Sequence, residues 1–256
     1  MFSVSTFNIV LIVMTVMAVV VFVSLFFVDA GYGRFYAPKW GPAIDNRLGW
    51  MLMEAPVFVA ILLLWWLSDR REDGIRLVFL LLFELHYFHR AFVFPWLMRG
   101  RSKMPLSIIG TAVLFNTLNA YMQGGWLFYV SPVDYYSADW LTSLPFLVGT
   151  ALFLFGMGVN VHSDRIIRNL RKPGDTAHYL PRGGMFRWVT SANYFGELVE
   201  WTGFAILTWS VSGAVFALWT FANLAPRAAR IYNGYRQEFP EQLDTRTTKR
   251  IIPFIF

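Results

Sequence analysis

The residues best suited to chemistry stand where water should be scarce. Glu54 lies near the start of an apolar run, about residues 49–67, where an isolated carboxylate costs ~3 kcal/mol. It reads either as a group reaching the headgroups from the end of a span or as a carboxyl placed to donate or relay a proton. A second run, about 77–98, carries Glu84, His86, Tyr87, His89 and Arg90 in the string ELHYFHR. At helical spacing Tyr87 lies one turn from both Glu84 and Arg90, and His86 and Arg90 share a face. A buried tyrosine hydroxyl there could donate to a substrate carbonyl; the alternative is an internal polar cluster that braces a helix bundle. Metal binding is not expected, because His86 and His89 are accompanied by no further ligand pattern such as HExxH.

The third candidate is the stretch from Gly156 to Trp201, which leaves one apolar run, becomes a basic, turn-rich loop and enters another apolar run. Asn160, Asp164 and Arg168 or Arg171 recur at three- and four-residue spacing along one helical face. Guanidinium forks suit phosphates and carboxylates suit ribose hydroxyls, so a nucleotide is the ligand to expect; the alternative is a basic end to a membrane span. Gly156-Met-Gly158 is no dinucleotide fingerprint, since it follows no strand and lacks the third glycine. Asn193, Glu197 and Glu200, spaced four and three apart, form one polar stripe that needs partners or a ligand. Arg227 and Tyr235 are eight apart and share a face near the end of the last run.

The elements that hold these groups are apolar. Hydrophobic residues make up 56% of the 256 and charged residues only 15%, where a soluble domain has about a quarter. The polar residues cluster between long apolar runs, and this predicts a single all-α, polytopic membrane domain over 1–256. Seven spans are expected, near 5–28, 49–67, 77–98, 106–130, 141–161, 190–210 and 214–233. The first is read as retained, because MFSVSTFNIV lacks the basic start of a signal peptide. The string NVHSDRIIRNLRKPG, residues 160–174, reads as a cytosolic helix extension stopped by Pro173-Gly174. Loops one, three and five hold 3, 3 and 6 of the 22 Lys and Arg residues and the end of the last span with the C-terminal tail holds 6, whereas the N-terminus and loops two, four and six hold 0, 3, 0 and 0. The positive-inside rule therefore puts the N-terminus outside and the C-terminus in the cytosol. The net charge of +6 then reflects topology, and no nucleic-acid partner is expected. With no cysteine, disulfides and thiolate chemistry are excluded, and a prokaryotic membrane is mildly favoured.

The strings LHYFHRAFVFPWLMRGR, GMGVNVHSD, LRKPGD, SANYFGELVEW and the terminal IPFIF resemble the steroid 5-alpha-reductases, membrane enzymes that reduce 3-oxo-delta-4 steroids with NADPH. The resemblance is nearly collinear from about Gly31 to Phe256. It implies that Glu54 and Tyr87 are catalytic and hydrogen-bond the substrate's 3-oxo group. It also implies NADPH contacts at Asn160, His162, Asp164, Arg168 and Arg171, along the stripe of Asn193, Glu197 and Glu200, and at Tyr32, Arg90, Arg101, Arg227 and Tyr235. No metal and no obligate protein partner are implied, and the membrane would be a bacterial inner membrane or the endoplasmic reticulum, with the cofactor site facing the cytosol. Two departures stand out. Ala228–Gly234 replaces a His-rich run of mammalian members, and Tyr179-Leu180-Pro181 stands where members show a basic residue before Ile-Pro. Two other functions compete: reduction of another lipid enone, such as a polyprenal or an enoyl-thioester, and a non-enzymatic seven-span receptor or transporter.

Overall fold

The structure, a computed structural model, describes residues 3–28, 40–99, 102–171 and 177–256. It is mostly helical. In chain order the rods are α1 (Val4–Ser24), α2 (Asn46–Trp66), α3 (Gly74–Leu97), α4 (Leu106–Gly125, continued by a π turn, Trp126–Val130), α5 (Leu144–Asn169), α6 (Ala192–Thr208) and α7 (Val211–Glu238). Among the described residues α1, α2, α3 and α5 are long and apolar enough to cross a membrane by length and composition. Their ends follow local chemistry. Asp45 accepts from the amides of Arg47 and Leu48 at the start of α2, Asp73 from Ile75 and Arg76 at α3, and Ser210 from Gly213 at α7. Each satisfies amides that a helix start leaves unpaired.

The structure departs from these expectations in two places. The seventh rod is longer, 211–238 rather than 214–233, because its polar end docks on protein. α5 runs past its apolar part to Asn169, in agreement with the expected helix extension, while Pro173 and Gly174 lie outside the described residues. The all-α expectation also misses a two-stranded antiparallel ribbon, β1 (Ala43–Asp45) with β2 (Lys103–Pro105), in which Ile44 pairs with Met104. Two loops that emerge at the same end of a bundle can satisfy their backbone groups on each other.

The core is aromatic, with Phe79, Phe83, Tyr87, Phe153, Trp201, Phe204 and Phe216 in one buried cluster. Two features bind the rods together. Arg76, 1% exposed, pairs with Asp73 and donates to the carbonyls of Leu127 (2.8 Å) and Pro132 (3.0 Å), with its guanidinium 5.2 Å from the Tyr136 ring centroid. It thereby staples the α2–α3 turn to the α4–α5 loop. In that loop Tyr136 accepts from the Trp126 indole and donates to the Thr208 carbonyl, and burial pushes its phenol above the usual range. The second feature is a glycine seam between α5 and α6. A Cβ on Gly149 or Gly156 would come within 2.3 Å of a backbone nitrogen of α6, and one on Gly196 or Gly203 within 2.4 Å of a backbone nitrogen of α5. The two backbones touch, as small residues allow between apolar helices.

The C-terminal tail folds back onto the bundle. Lys249 donates its amide to the Trp188 carbonyl (2.7 Å), and the Thr190 and Ser191 amides donate to the carbonyls of Lys249 and Arg250. Ile251 is fully buried against Leu224 and Ala228 of α7. The last residues close on themselves, with the Ile251 and Ile252 amides both donating to the Phe256 carbonyl at 2.7 Å.

Candidate active site

α4 presents two amides one turn apart on one face, and each grips a candidate catalytic residue. Asn116 donates to Glu54 Oε2 (3.2 Å) and to the Met53 carbonyl (2.6 Å). Asn119 donates to the Tyr87 hydroxyl oxygen at 3.1 Å. Because i and i+3 positions are neighbours on a helix, Glu54 of α2 and Tyr87 of α3 are held side by side. Glu54 is half-buried beside Pro56, which leaves one carbonyl of α2 without its usual amide donor. Tyr87 is buried and wedged among rings, its centroid 4.7 Å from Phe83, 5.0 Å from His86 and 5.7 Å from Trp201.

A second polar layer joins α3, α5 and α6. Arg90 sits in a π turn, His89–Val93, where the Phe94 amide reaches back to the His89 carbonyl. The wider turn turns Arg90 inward just before Pro95, and such turns recur at functional sites. Its guanidinium bridges Asp164 and Glu197, both at 3.4 Å, and lies 4.6 Å and 4.8 Å from the ring centroids of Trp50 and Phe94. Asn160 donates to the Asn193 carbonyl (3.0 Å) and to Glu197 (3.5 Å), and Asn193 donates to Asp164 (3.1 Å). His86 Nδ1 lies 2.8 Å from Glu200 Oε1, whereas Glu200 Oε2 is buried with no hydrogen-bond donor upon it. The layer thus combines one cation, carboxylates from two helices and an open acceptor. A ligand bearing amide or hydroxyl donors fits that acceptor, and a buried polar atom left without a partner is costly.

The structure therefore brings the buried Tyr87, Arg90, Asn160, Asp164 and Glu200 and the half-buried Glu54, Asn193 and Glu197 into one region. Other candidates lie at its margin. Arg168 is half-buried one turn beyond Asp164 and acts on it electrostatically. Arg171 is exposed past the end of α5. His162 is exposed on another face of α5, beside Gly184, and lines a shallow cleft with Arg165 and Asn169. Arg227 lies 5.5 Å from the Tyr194 ring centroid, and Tyr235 packs on Phe239 a further two turns along α7. Tyr32 and Arg101 lie outside the described residues.

Sequence reasoning left Asn116 and Asn119 without a role, although two amides three apart in an apolar run must share a face and need partners. It also left His86 without its Glu200 partner. Gly156 belongs to no nucleotide signature; its seven-residue spacing from Gly149, repeated by Gly196 and Gly203, is the signal of close helix contact.

Residues 102–256 match the family model described as 3-oxo-5-alpha-steroid 4-dehydrogenase. The chain is 43% identical over 231 residues to 3-oxo-5-alpha-steroid 4-dehydrogenase 1 of Macaca fascicularis, covering 89% of this chain and 86% of that protein. It is 43% identical over 228 residues to the Homo sapiens protein of the same name, covering 88% and 86% of the two chains. A plant relative, steroid 5-alpha-reductase DET2 of Gossypium hirsutum, is 36% identical over 254 residues, 98% of this chain and 97% of that one. With the family model spanning more than half its length and such relatives spanning nearly all of it, the chain belongs to the 3-oxo-5-alpha-steroid 4-dehydrogenase family.

Proposed function

We propose that this protein is a membrane oxidoreductase that reduces the delta-4 double bond of 3-oxo steroids with NADPH. The observation that carries the reading is the pair Glu54 and Tyr87, held side by side by consecutive-turn amides of α4 next to a buried polar layer. In conjugate reduction of an enone, a hydride adds to the beta carbon, C5 of the steroid, and negative charge collects on the 3-oxo oxygen. Donors already aimed at that oxygen in a dry site are worth ~3 kcal/mol each. Tyr87 supplies its hydroxyl proton. Asn116 occupies Glu54 Oε2, so a proton on that carboxyl sits on Oε1, free to donate to the same oxygen. The enolate is then protonated at C4 through solvent or a relay.

NADPH, when bound, supplies the hydride. Glu200 Oε2 offers its buried acceptor to a carboxamide or hydroxyl donor. Asn160, Asp164, Asn193 and Glu197 offer amides and carboxylates suited to ribose, with Arg90 balancing their charge. Arg168, Arg171, Arg227 and Tyr235, with His162, Tyr32 and Arg101, complete the proposed cofactor set. The seven helices are read as seven spans, with the N-terminus outside and the cofactor entering from the cytosolic side where Lys and Arg concentrate. A lipid-soluble steroid enters from the bilayer of a bacterial inner membrane or endoplasmic reticulum.

Detergent-purified protein incubated with NADPH and testosterone or progesterone should yield the 5-alpha-dihydro product, while a CoA-linked enoyl substrate should not turn over. Glu54→Gln and Tyr87→Phe should each cut turnover by about a hundredfold and leave NADPH binding intact. Normal turnover in either variant overturns the catalytic assignment.

A further inference from the structure

Behind Tyr87 lies a buried chain of amides whose polarity is set by a backbone carbonyl. Gln123 donates through Nε2 to the Ser212 carbonyl of α7 at 3.0 Å and to Asn119 Oδ1 at 3.2 Å; Asn119 donates through Nδ2 to the Tyr87 hydroxyl oxygen at 3.1 Å. Asn119 and Ser212 are fully buried and Gln123 is 1% exposed. A carbonyl oxygen only accepts, so the Gln123 group facing Ser212 must be its NH2. That NH2 has a second hydrogen, so the Asn119 atom facing it must be oxygen. Asn119 is then obliged to present its NH2 to Tyr87. Flipping either amide would set like groups against each other and leave buried polar atoms unpaired. The Tyr87 oxygen is therefore an acceptor in this bond. Its ring is locked by Phe83, His86 and Trp201, so only the O–H can rotate, and it must point away from Asn119. Among the described residues no acceptor takes that proton.

We propose that Asn119 and Gln123 are positioning residues that transmit the polarity of the Ser212 carbonyl to Tyr87 and hold its hydroxyl proton toward the substrate oxygen. The inference rests on the reading of Tyr87 as the donor to the 3-oxo group. An amide donating to the hydroxyl oxygen also polarises the O–H and strengthens its donation.

The test reverses the polarity without changing the shape. In Asn119→Asp the introduced carboxylate still accepts from Gln123 but can no longer donate to Tyr87, which turns its own proton onto the carboxylate. The titratable groups acting on Tyr87 are Glu54 of α2, Glu197 and Glu200 of α6, and His86 of its own helix, and they are common to variant and parent. The readout is therefore the ratio of variant to parent kcat across pH. That ratio should be down about a hundredfold at neutral pH, with KM for NADPH and steroid unchanged. It should recover as pH falls and the introduced carboxyl regains a proton to donate. Asn119→Leu should show the loss without the acid recovery. In a Tyr87→Phe background, Asn119→Asp should cost nothing further. If Asn119→Asp does not fold, Gln123→Met, which frees the Asn119 amide to flip, should lower kcat only when Tyr87 is present. Parent-like kcat in these variants, or a loss of the same size in the Tyr87→Phe background, overturns the positioning role. Normal turnover of Tyr87→Phe alone instead overturns the reading of Tyr87 on which the role depends.

Discussion

Gly156→Ala tests whether backbone contact between α5 and α6 builds the polar layer. The added Cβ would lie 2.3 Å from the Glu200 amide nitrogen and 2.6 Å from the Gly196 carbonyl oxygen, where ordinary contact begins at 3.4 Å. Neither obstacle is the end of a flexible side chain. The helices must part by roughly 1 Å, and overpacking of this kind costs about 1–3 kcal/mol. The next turn carries the Asn160 bonds to the Asn193 carbonyl and Glu197, at 3.0 Å and 3.5 Å. Lengthened by the same amount, neither remains a hydrogen bond. Interhelical hydrogen bonds in membranes add about 0.6 kcal/mol each on average. The total is about 3 kcal/mol, and expressed at the proposed NADPH site it should weaken binding by about a hundredfold. Thermal unfolding of detergent-purified protein and a fluorescence titration with NADPH measure the two consequences. Gly158→Ala is the matched control, two residues along the same helix with nothing within 4 Å of the added Cβ, and alanine there favours the helix slightly. Both Gly variants behaving like the parent in Tm and NADPH affinity would refute the seam as the support of the site.

Three other perturbations separate the parts of the molecule. Arg90→Lys keeps the charge but loses the planar fork that spans Asp164 and Glu197 between Trp50 and Phe94, so NADPH affinity should fall at least tenfold; unchanged affinity would place Arg90 outside the cofactor site. Arg76→Leu leaves the Leu127 and Pro132 carbonyls without their donor and Asp73 without its cation, so the protein should lose about 3–5 kcal/mol of stability while the folded fraction keeps its KM values; a parent-like Tm would show that the staple carries no stability. Deleting residues 251–256 removes the buried Ile251 and the turn that closes on Phe256, and should lower Tm by several degrees through loss of about 2–5 kcal/mol; an unchanged Tm would mean the tail is merely laid on the bundle.

Local chemistry was readable along the chain. Among the described residues hydropathy located the apolar part of each of the seven rods, because an apolar run satisfies its backbone groups within a helix, but not the polar ends of α5 and α7, which run eight and five residues past the expected spans. Spacing put Asn160 with Asp164, and Asn193 with Glu197 and Glu200, on shared faces, because i to i+3 and i+4 neighbours follow from helical geometry alone. The strings around Tyr87 and Glu197 carried the family. What residue spacing cannot contain is the rotation and depth at which one helix meets another. Only the packed molecule decided that Arg90 bridges two helices, that the Gly156 seam lets Asn160 reach α6, and that His86 pairs with Glu200 across 114 positions of sequence. It also decided that α4, the least remarked of the polar runs, holds both Glu54 and Tyr87. Those partnerships are settled by contacts between distant segments, which depend on the whole arrangement of side chains and leave no periodic trace in any one of them.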